Sequence, residues 1–325
     1  MGHALAVPMR RLLTAFDTFR GSISAHDAGL AARAGAAELG WHTVVVPLAD
    51  GGEGTLEALG GANRSTVVHD PLGRPVEAPW QLRGTRAVLE MSRASGLALI
   101  GGADANDPVA ASTFGTGELL RAALDAGATE VLMAVGGSAT TDGGAGALEA
   151  LPKLPSGVRV RVLCDVQTRF VDAATRFGPQ KGASPDQVQR LSQRLRALAE
   201  RYGEGIAALP GSGAAGGLAG GLAAWGATLH EGFPFVARAV DLQGQLRGID
   251  RVITGEGCLD ATSWQGKVVG GVFALAPDRT SIVAGQVRQA HPAAVSLLER
   301  FGDRAWTDTA ACISEATKEL LASLP

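Results

Sequence analysis

Three cysteines, at positions 164, 258 and 312, are all that this 325-residue chain carries. They lie too far apart for a zinc motif and are too few for a disulfide framework. A reducing, cytoplasmic setting is the simplest expectation. Lysine is nearly as scarce. Of 29 basic residues only Lys153, Lys181, Lys267 and Lys318 are lysines, so a retained lysine marks a place where a compact point charge is wanted. Charged residues make up 19% against 46% hydrophobic ones, a balance that excludes a disordered chain. No apolar run reaches the ~18 residues of a membrane span. The net charge is −3, so no basic surface for nucleic acid is expected. A Walker A loop is missing, and so is a G-x-S-x-G elbow. The six histidines are scattered, with no pair at metal-ligand spacing. At the N-terminus, MGHALAVPMRR sets its apolar patch before its basic pair, the reverse of a secretory signal. Met9 is a candidate start, which would make residues 1–8 an upstream extension.

Glycine is what the chain has in excess: 45 residues, with no Gly-X-Y period. Residues 11–16 (RLLTAF) read as a buried strand, Ser24 as the cap of a helix over 25–39, and 43–48 as a second strand. Short loops between them imply a parallel sheet. Residues 66–91 alternate around a Pro-Leu-Gly turn and predict hairpins. Further on come a helix at 115–126, a strand at 130–135, a helix near 144–151 and a strand at 158–164. The clearest amphipathic helix is PDQVQRLSQRLRALAERY, opened by Ser184 or Pro185. The Gly/Ala segment 211–227 predicts a helix closely approached by other backbone. A strand at 252–254, a helix at 267–275, a strand at 281–285, a helix near 293–301 and a last strand and helix complete the chain. The expected fold class is α/β with two domains. One is a Rossmann-like parallel sheet domain built from both chain ends (9–65 and 245–325), and a mixed α/β domain (66–244) is inserted into it.

The glycines gather after strands, in the company of acids: DTFRGS (17–22), ADGGEGT (49–55), GGSATTDGGAG (136–146) and TGEGCLD (254–260). In an open parallel sheet, ligands bind past the carboxyl ends of strands. Glycine lets backbone N–H groups approach a phosphate there. Carboxylates in the same loops make sense if Mg²⁺ intervenes or if one accepts a proton. Together the four loops predict phosphoryl transfer. Simpler readings stand beside this one. Each loop can be a tight turn, Asp142 can cap the helix after it, Asp50 can hold its own Gly-Gly turn, and Lys181 and Lys267 can be surface lysines. GSGAAG (211–216) fits G-x-G-x-x-G but follows no strand, so dinucleotide binding is not expected.

The run DTFRGSIS resembles the D-S-F-K-G-[ST]-[LM]-S opening of type I bacterial glycerate kinases. PLADGGEGT, STFGTGEL, AVGGSATTDGGAGAL, LCDV, FGPQKGA, PGSGAAGGLAGGL and VITGEGCLD…GK match the same family in the same order, over about residues 14–285. The resemblance implies an ATP-dependent kinase of D-glycerate (glycerate kinase I-like in fold), working in an interdomain cleft with Mg²⁺ and favouring the 2-hydroxyl over the 3-hydroxyl. A non-catalytic sensor descended from the family, or a kinase of another small hydroxy acid, are the rival functions. The chain departs from the pattern at Arg20 for lysine, at Gln167–Phe170, at Cys258 for arginine, at Thr262–Ser263 for Gln-Thr, and at Val269 for proline.

Roles follow as expectations. Gly136, Gly137, Ser138, Thr140, Gly143 and Gly144 would cradle the nucleotide phosphates. Lys181 and Lys267 would neutralise the transferring group or the glycerate carboxylate. Arg20, Ser22, Asp50, Gly51 and Gly52 would hold substrate, with Asp50 also a metal candidate. Glu53, Asp142 and Glu256 would meet Mg²⁺. Asp165, ahead of Asp17 and Asp260, would accept the hydroxyl proton. No nucleic-acid or membrane partner is expected, and the sequence leaves the oligomeric state open.

Overall fold

The computed structural model describes residues 10–203 and 205–324. Met9 and the extension before it therefore lie outside the described residues. Eleven strands run in chain order among them: β1 (Arg11–Phe16), β2 (His42–Val45), β3 (Arg64–His69), β4 (Pro75–Arg83), β5 (Arg86–Glu90), β6 (Glu130–Ala134), β7 (Arg159–Cys164), β8 (Thr228–Glu231), β9 (Arg251–Leu259), β10 (Thr280–Val287) and β11 (Ala294–Ser296). They form two sheets, one in each of two compact units. The first unit takes residues up to 50 and from 236 onward, and the second takes 51–235.

In the first unit the order is β11-β10-β9-β1-β2, every pair parallel. β1 lies between β2 and β9, so the two chain ends meet inside one sheet. Leu12, Phe16, Ile253 and Val283 are buried against the helices Ala25–Ala37 and Thr309–Ala322. Ser24 caps the first of these as expected, accepting from Asp27 N at 3.1 Å. Gly35 lets the two helices touch, because a Cβ there would overlap the Ser314 carbonyl.

The second unit carries the order β3-β4-β5-β6-β7-β8. β3, β4 and β5 are antiparallel hairpins and β5 to β8 are parallel. Its core packs Trp80, Leu89, Leu119, Met133, Val162 and Leu218 together. The helix Pro185–Tyr202 opens with a complete capping box between Ser184 and Gln187. The chain is thus α/β, with a parallel sheet from both ends and an intervening mixed sheet. The sequence reading placed residues 51–65 with the first sheet. In the structure they pack with the second, where the short helix Thr55–Ala58 is tied to the end of β5.

Two other local expectations change. The segment 211–227 is not one helix: Ala215, Gly216 and Gly217 have φ of 52°, 67° and 91°, and the helix starts only at Leu218. Left-handed residues cannot continue a right-handed helix. Residues 294–296 form β11 rather than a first helical turn. The helix Leu297–Phe301 then starts where Ser296 accepts from Glu299 N, and only helices follow among the described residues.

Candidate functional site

Two of the four glycine loops converge within the second unit. The loop after β6 runs through Gly136 and Gly137, and Gly51–Gly54 lies against it. Val135 N donates to Gly51 O at 3.0 Å, and Thr55 Oγ1 donates to Gly52 O at 2.8 Å. A Cβ on Gly136 would stand 2.8 Å from Gly52 Cα, and one on Gly137 (φ +65°) would overlap Glu53 Oε1. Gly51, Gly52, Glu53, Gly136 and Gly137 are therefore one surface feature, with the last three partly open to solvent.

Lys181 lies behind this loop, 3% exposed, which removes the surface-lysine reading. Its Nζ donates to Ser138 Oγ at 2.7 Å and to the Thr140 carbonyl at 2.6 Å. Burial pushes its pKa down to about 7, against the pull of the Asp142 charge. Two donated bonds suit the neutral amine, since an ammonium has a third hydrogen to place. Asn106 adds a second strut, its Nδ2 donating to Ala139 O at 3.1 Å and to Lys181 O at 2.8 Å. The hydroxyls of Thr140 and Thr141 are buried without a hydrogen-bond partner among the described residues.

The far half of the same loop does different work from that expected. Asp142 Oδ2 accepts from Thr113 N (2.8 Å), Thr113 Oγ1 (2.7 Å) and Gly146 N (3.2 Å), and Oδ1 accepts from Gly144 N at 3.1 Å. Four donors, three of them on Oδ2, commit Asp142 to holding Thr113 and the helix start, which supports the helix-capping reading over the metal one. Gly143 and Gly144 are buried, and their N–H groups go to Gly216 O and Asp142. They are packing glycines beneath the segment 216–221, not phosphate donors. A Cβ on Gly216 would overlap the Thr140 carbonyl, and one on Gly221 would stand 2.5 Å from Gly143 O.

The first unit gathers a second set. Asp17, just past β1, is raised well above the ordinary carboxylate range by burial first and then by the Asp50 and Glu256 charges. Thr18 N–H, 2.7 Å away, and Arg20 pull the other way. Glu256 is also raised, chiefly by burial, although Ser263 and Lys267 oppose the shift. Its Oε1 is buried with no hydrogen-bond partner among the described residues. Lys267 Nζ stands 3.8 Å from the buried Asp50 carboxylate. Asp260 is a cap instead: Thr262 N and Thr262 Oγ1 both donate to its Oδ1 at 2.7 Å and hold its pKa down. Ser22 Oγ is hydrogen-bonded to Thr309 Oγ1, which itself donates to Ala305 O, and Arg20 is exposed. Asp165 belongs to the second unit, half-buried after β7, where its charge helps to push the Cys164 thiol up to about 11.

No group of three or more His, Cys, Asp or Glu side chains is arranged to hold a metal among the described residues. Of the expected Mg²⁺ residues, Glu53 and Asp142 lie in the second unit, and Glu256 and Asp50 in the first. What remains suits an ion that arrives on phosphates and keeps most of its waters, for which one or two carboxylates suffice. Glu53, beside Gly137, has the required hard oxygen.

Sequence reasoning missed Asn106, the Thr113 hydroxyl and the role of 216–221. It also missed Glu90, a buried acid that ends β5. An acid closing an apolar strand was the available signal for Glu90. Nothing local marks Asn106, whose contacts reach residues 139 and 181.

A family model described as the glycerate kinase family matches residues 12–154 and 152–318. A glycerate 2-kinase of Escherichia coli is 37% identical, with 82% of each chain covered. A glycerate kinase of Bacillus subtilis is 36% identical, covering 81% of this chain and 80% of its own. An uncharacterized protein of Synechocystis is 40% identical over 90% of both. The crystal structure of a putative glycerate kinase 2 from Salmonella typhimurium superposes with a TM-score of 0.80 at 31% identity, covering 97% of this chain and 98% of that one. With the matching sequence, fold and loops, this chain belongs to the glycerate kinase family.

Proposed function

We propose that the chain transfers the γ-phosphoryl group of ATP to D-glycerate, at the 2-hydroxyl, giving 2-phosphoglycerate and ADP. The observation that carries this reading is the pressing of Gly136–Gly137 against Gly52–Glu53, with buried Lys181 fixing Ser138 from behind. Backbone N–H groups and a hydroxyl held rigidly on half-exposed glycines are what a phosphate chain requires. The 2-hydroxyl is favoured by the Escherichia coli relative named for that position.

In this reading Gly136, Gly137 and Ser138 bind phosphate oxygens, while Lys181 orients them. Glu53 would hold Mg²⁺, which supplies charge neutralisation on the phosphates. Asp17 accepts the hydroxyl proton, displacing Asp165 from that role. Burial and two neighbouring carboxylates raise the Asp17 carboxyl well above the ordinary range, which suits a proton acceptor, and Asp260 is committed to its cap. Lys267 and Arg20 provide positive charge for the glycerate carboxylate. The oxygen–phosphorus bond to glycerate forms as that to ADP breaks, and the released proton leaves on Asp17. The three unbridged thiols suit a cytoplasmic enzyme, and no helix among the described residues is long and apolar enough to cross a membrane.

A coupled ADP-release assay over a panel of small hydroxy acids, with the product's phosphate position read by NMR, tests the reading. Turnover with D-glycerate and a phosphate on C2 is expected, lost with EDTA and restored by Mg²⁺. Turnover with another acid alone would overturn the substrate, and ligand-induced thermal shift without turnover would favour a sensor.

A further inference from the structure

Glu90 is 1% exposed at the end of β5, opposite Ala134, which ends β6. Its Oε1 accepts from Leu56 N at 2.8 Å and its Oε2 accepts from Arg93 Nε at 3.0 Å. Arg93 is half exposed, so one side of the pair stays wet while the carboxylate is dry. An apolar residue is often as favourable as such a buried ion pair, so stability alone does not explain it. Leu56 does. It lies in the first turn of Thr55–Ala58, whose cap residue Gly54 has no side chain to satisfy the turn's N–H groups. Glu90 supplies the missing acceptor from another element.

The segment so fixed carries Gly52 and Glu53. Its other ties include the Val135 N–H on Gly51 O and the internal Thr55–Gly52 bond. Gly52 and Glu53 in turn press on Gly136 and Gly137. The three strand-end loops are close-packed, so a shift of 52–56 must move 136–137.

We propose that Glu90 is a positioning residue that sets the register of the two glycine loops, and through them the phosphate site, without touching substrate. This rests on the phosphate-site reading above. The test uses the full chain, Glu90→Ala and Glu90→Gln, each also combined with Glu53→Ala. Glutamine keeps an acceptor for Leu56 N–H and alanine does not. In Glu90→Ala we expect kcat/KM for ATP to fall about tenfold or more, with Glu90→Gln within about threefold of the parent. Amide exchange should quicken in 51–58 and 135–139 in the alanine variant alone. In the Glu53→Ala background the alanine effect should shrink, since both act through one loop. Parental kinetics and exchange in Glu90→Ala would overturn the proposal. So would exchange quickened across the whole second unit together with additive kinetic losses, which mark general destabilisation. If the parent does not phosphorylate glycerate, the function reading falls and Glu90 is judged on loop exchange and the ATP-induced thermal shift. Glu90→Ala must then diminish that shift and Glu90→Gln preserve it, or the proposal falls too.

Discussion

Half-buried Asp17 and buried Lys181 are both desolvated against the preference of their charged forms, and each gives a signed prediction. Asp17 binds its proton more tightly folded than unfolded. Its contribution to stability is therefore complete below the unfolded pKa near 3.8 and is lost as pH rises through the folded one. Above the unfolded pKa the acid costs stability that a neutral side chain does not. Asp17→Asn should therefore lower kcat by about a hundredfold or more and yet raise the melting temperature at pH 7. A variant with full turnover would remove Asp17 as proton acceptor. Lys181 has the opposite linkage. Folded, it loses its proton at about 7, and unfolded at about 10.5, so the unfolded chain binds more protons between those values and stability climbs with pH. Lys181→Met should flatten that climb between about pH 7 and 9, read as melting temperature against pH for both proteins. An unchanged slope would mean that the amine does not titrate there. Residue type pointed to these positions: four lysines among 29 basic residues made Lys181 and Lys267 conspicuous. It could not show that the Asp17 carboxyl would be raised, because that depends on Asp50 and Glu256 standing nearby, and their proximity is set by the parallel sheet.

At the scale of elements, the strands and capped helices were legible because their signals are local. β1 fills 11–16 as read, Ser24 and Ser184 cap as read, and β3 to β5 pair as hairpins. The glycine loops were legible as loops after strands, but their internal division of labour was not. GGSATTDGGAG reads as one phosphate loop, yet its first two glycines are half exposed while Gly143 and Gly144 are packed under 216–221. Only a neighbour distant in sequence distinguishes them. Gly136 has no need of positive φ, so its substitution probes contact alone. Gly136→Ala would set a methyl 2.8 Å from the Gly52 backbone, which cannot swing aside as a side chain can. We expect kcat/KM to drop by about a hundredfold with a fall in melting temperature of only a few degrees. Parental activity would show that the two loops separate freely. Ala215, in the left-handed region at φ 52°, stores strain where the segment folds over Thr140 and Thr141. The helical expectation for 211–227 failed there, since Gly/Ala composition suits both a close-packed helix and the turn that interrupts it.

For the whole molecule, one unit is contiguous and the other is not. Residues 51–235 contain a complete six-stranded sheet and its own buried core. Expressed alone, this segment should melt cooperatively and keep native-like circular dichroism. A non-cooperative melt would show that it needs the chain ends to fold. Neither end should fold without the other, because β1 depends on β9 for one edge. Its own composition and local patterning determined that this chain is a two-part α/β protein, which residues build each element and which loops carry glycine with acid. Periodicity, capping and turn chemistry act over a few residues and can be read there. Tertiary structure alone decided that Asp142 caps while Asp17 is strained toward its proton, that Lys181 is a buried strut, and that Glu90 holds the turn after Glu53. Each of those depends on burial and on at least one partner tens to hundreds of residues away, and low dielectric gives such neighbours a weight that no local pattern encodes.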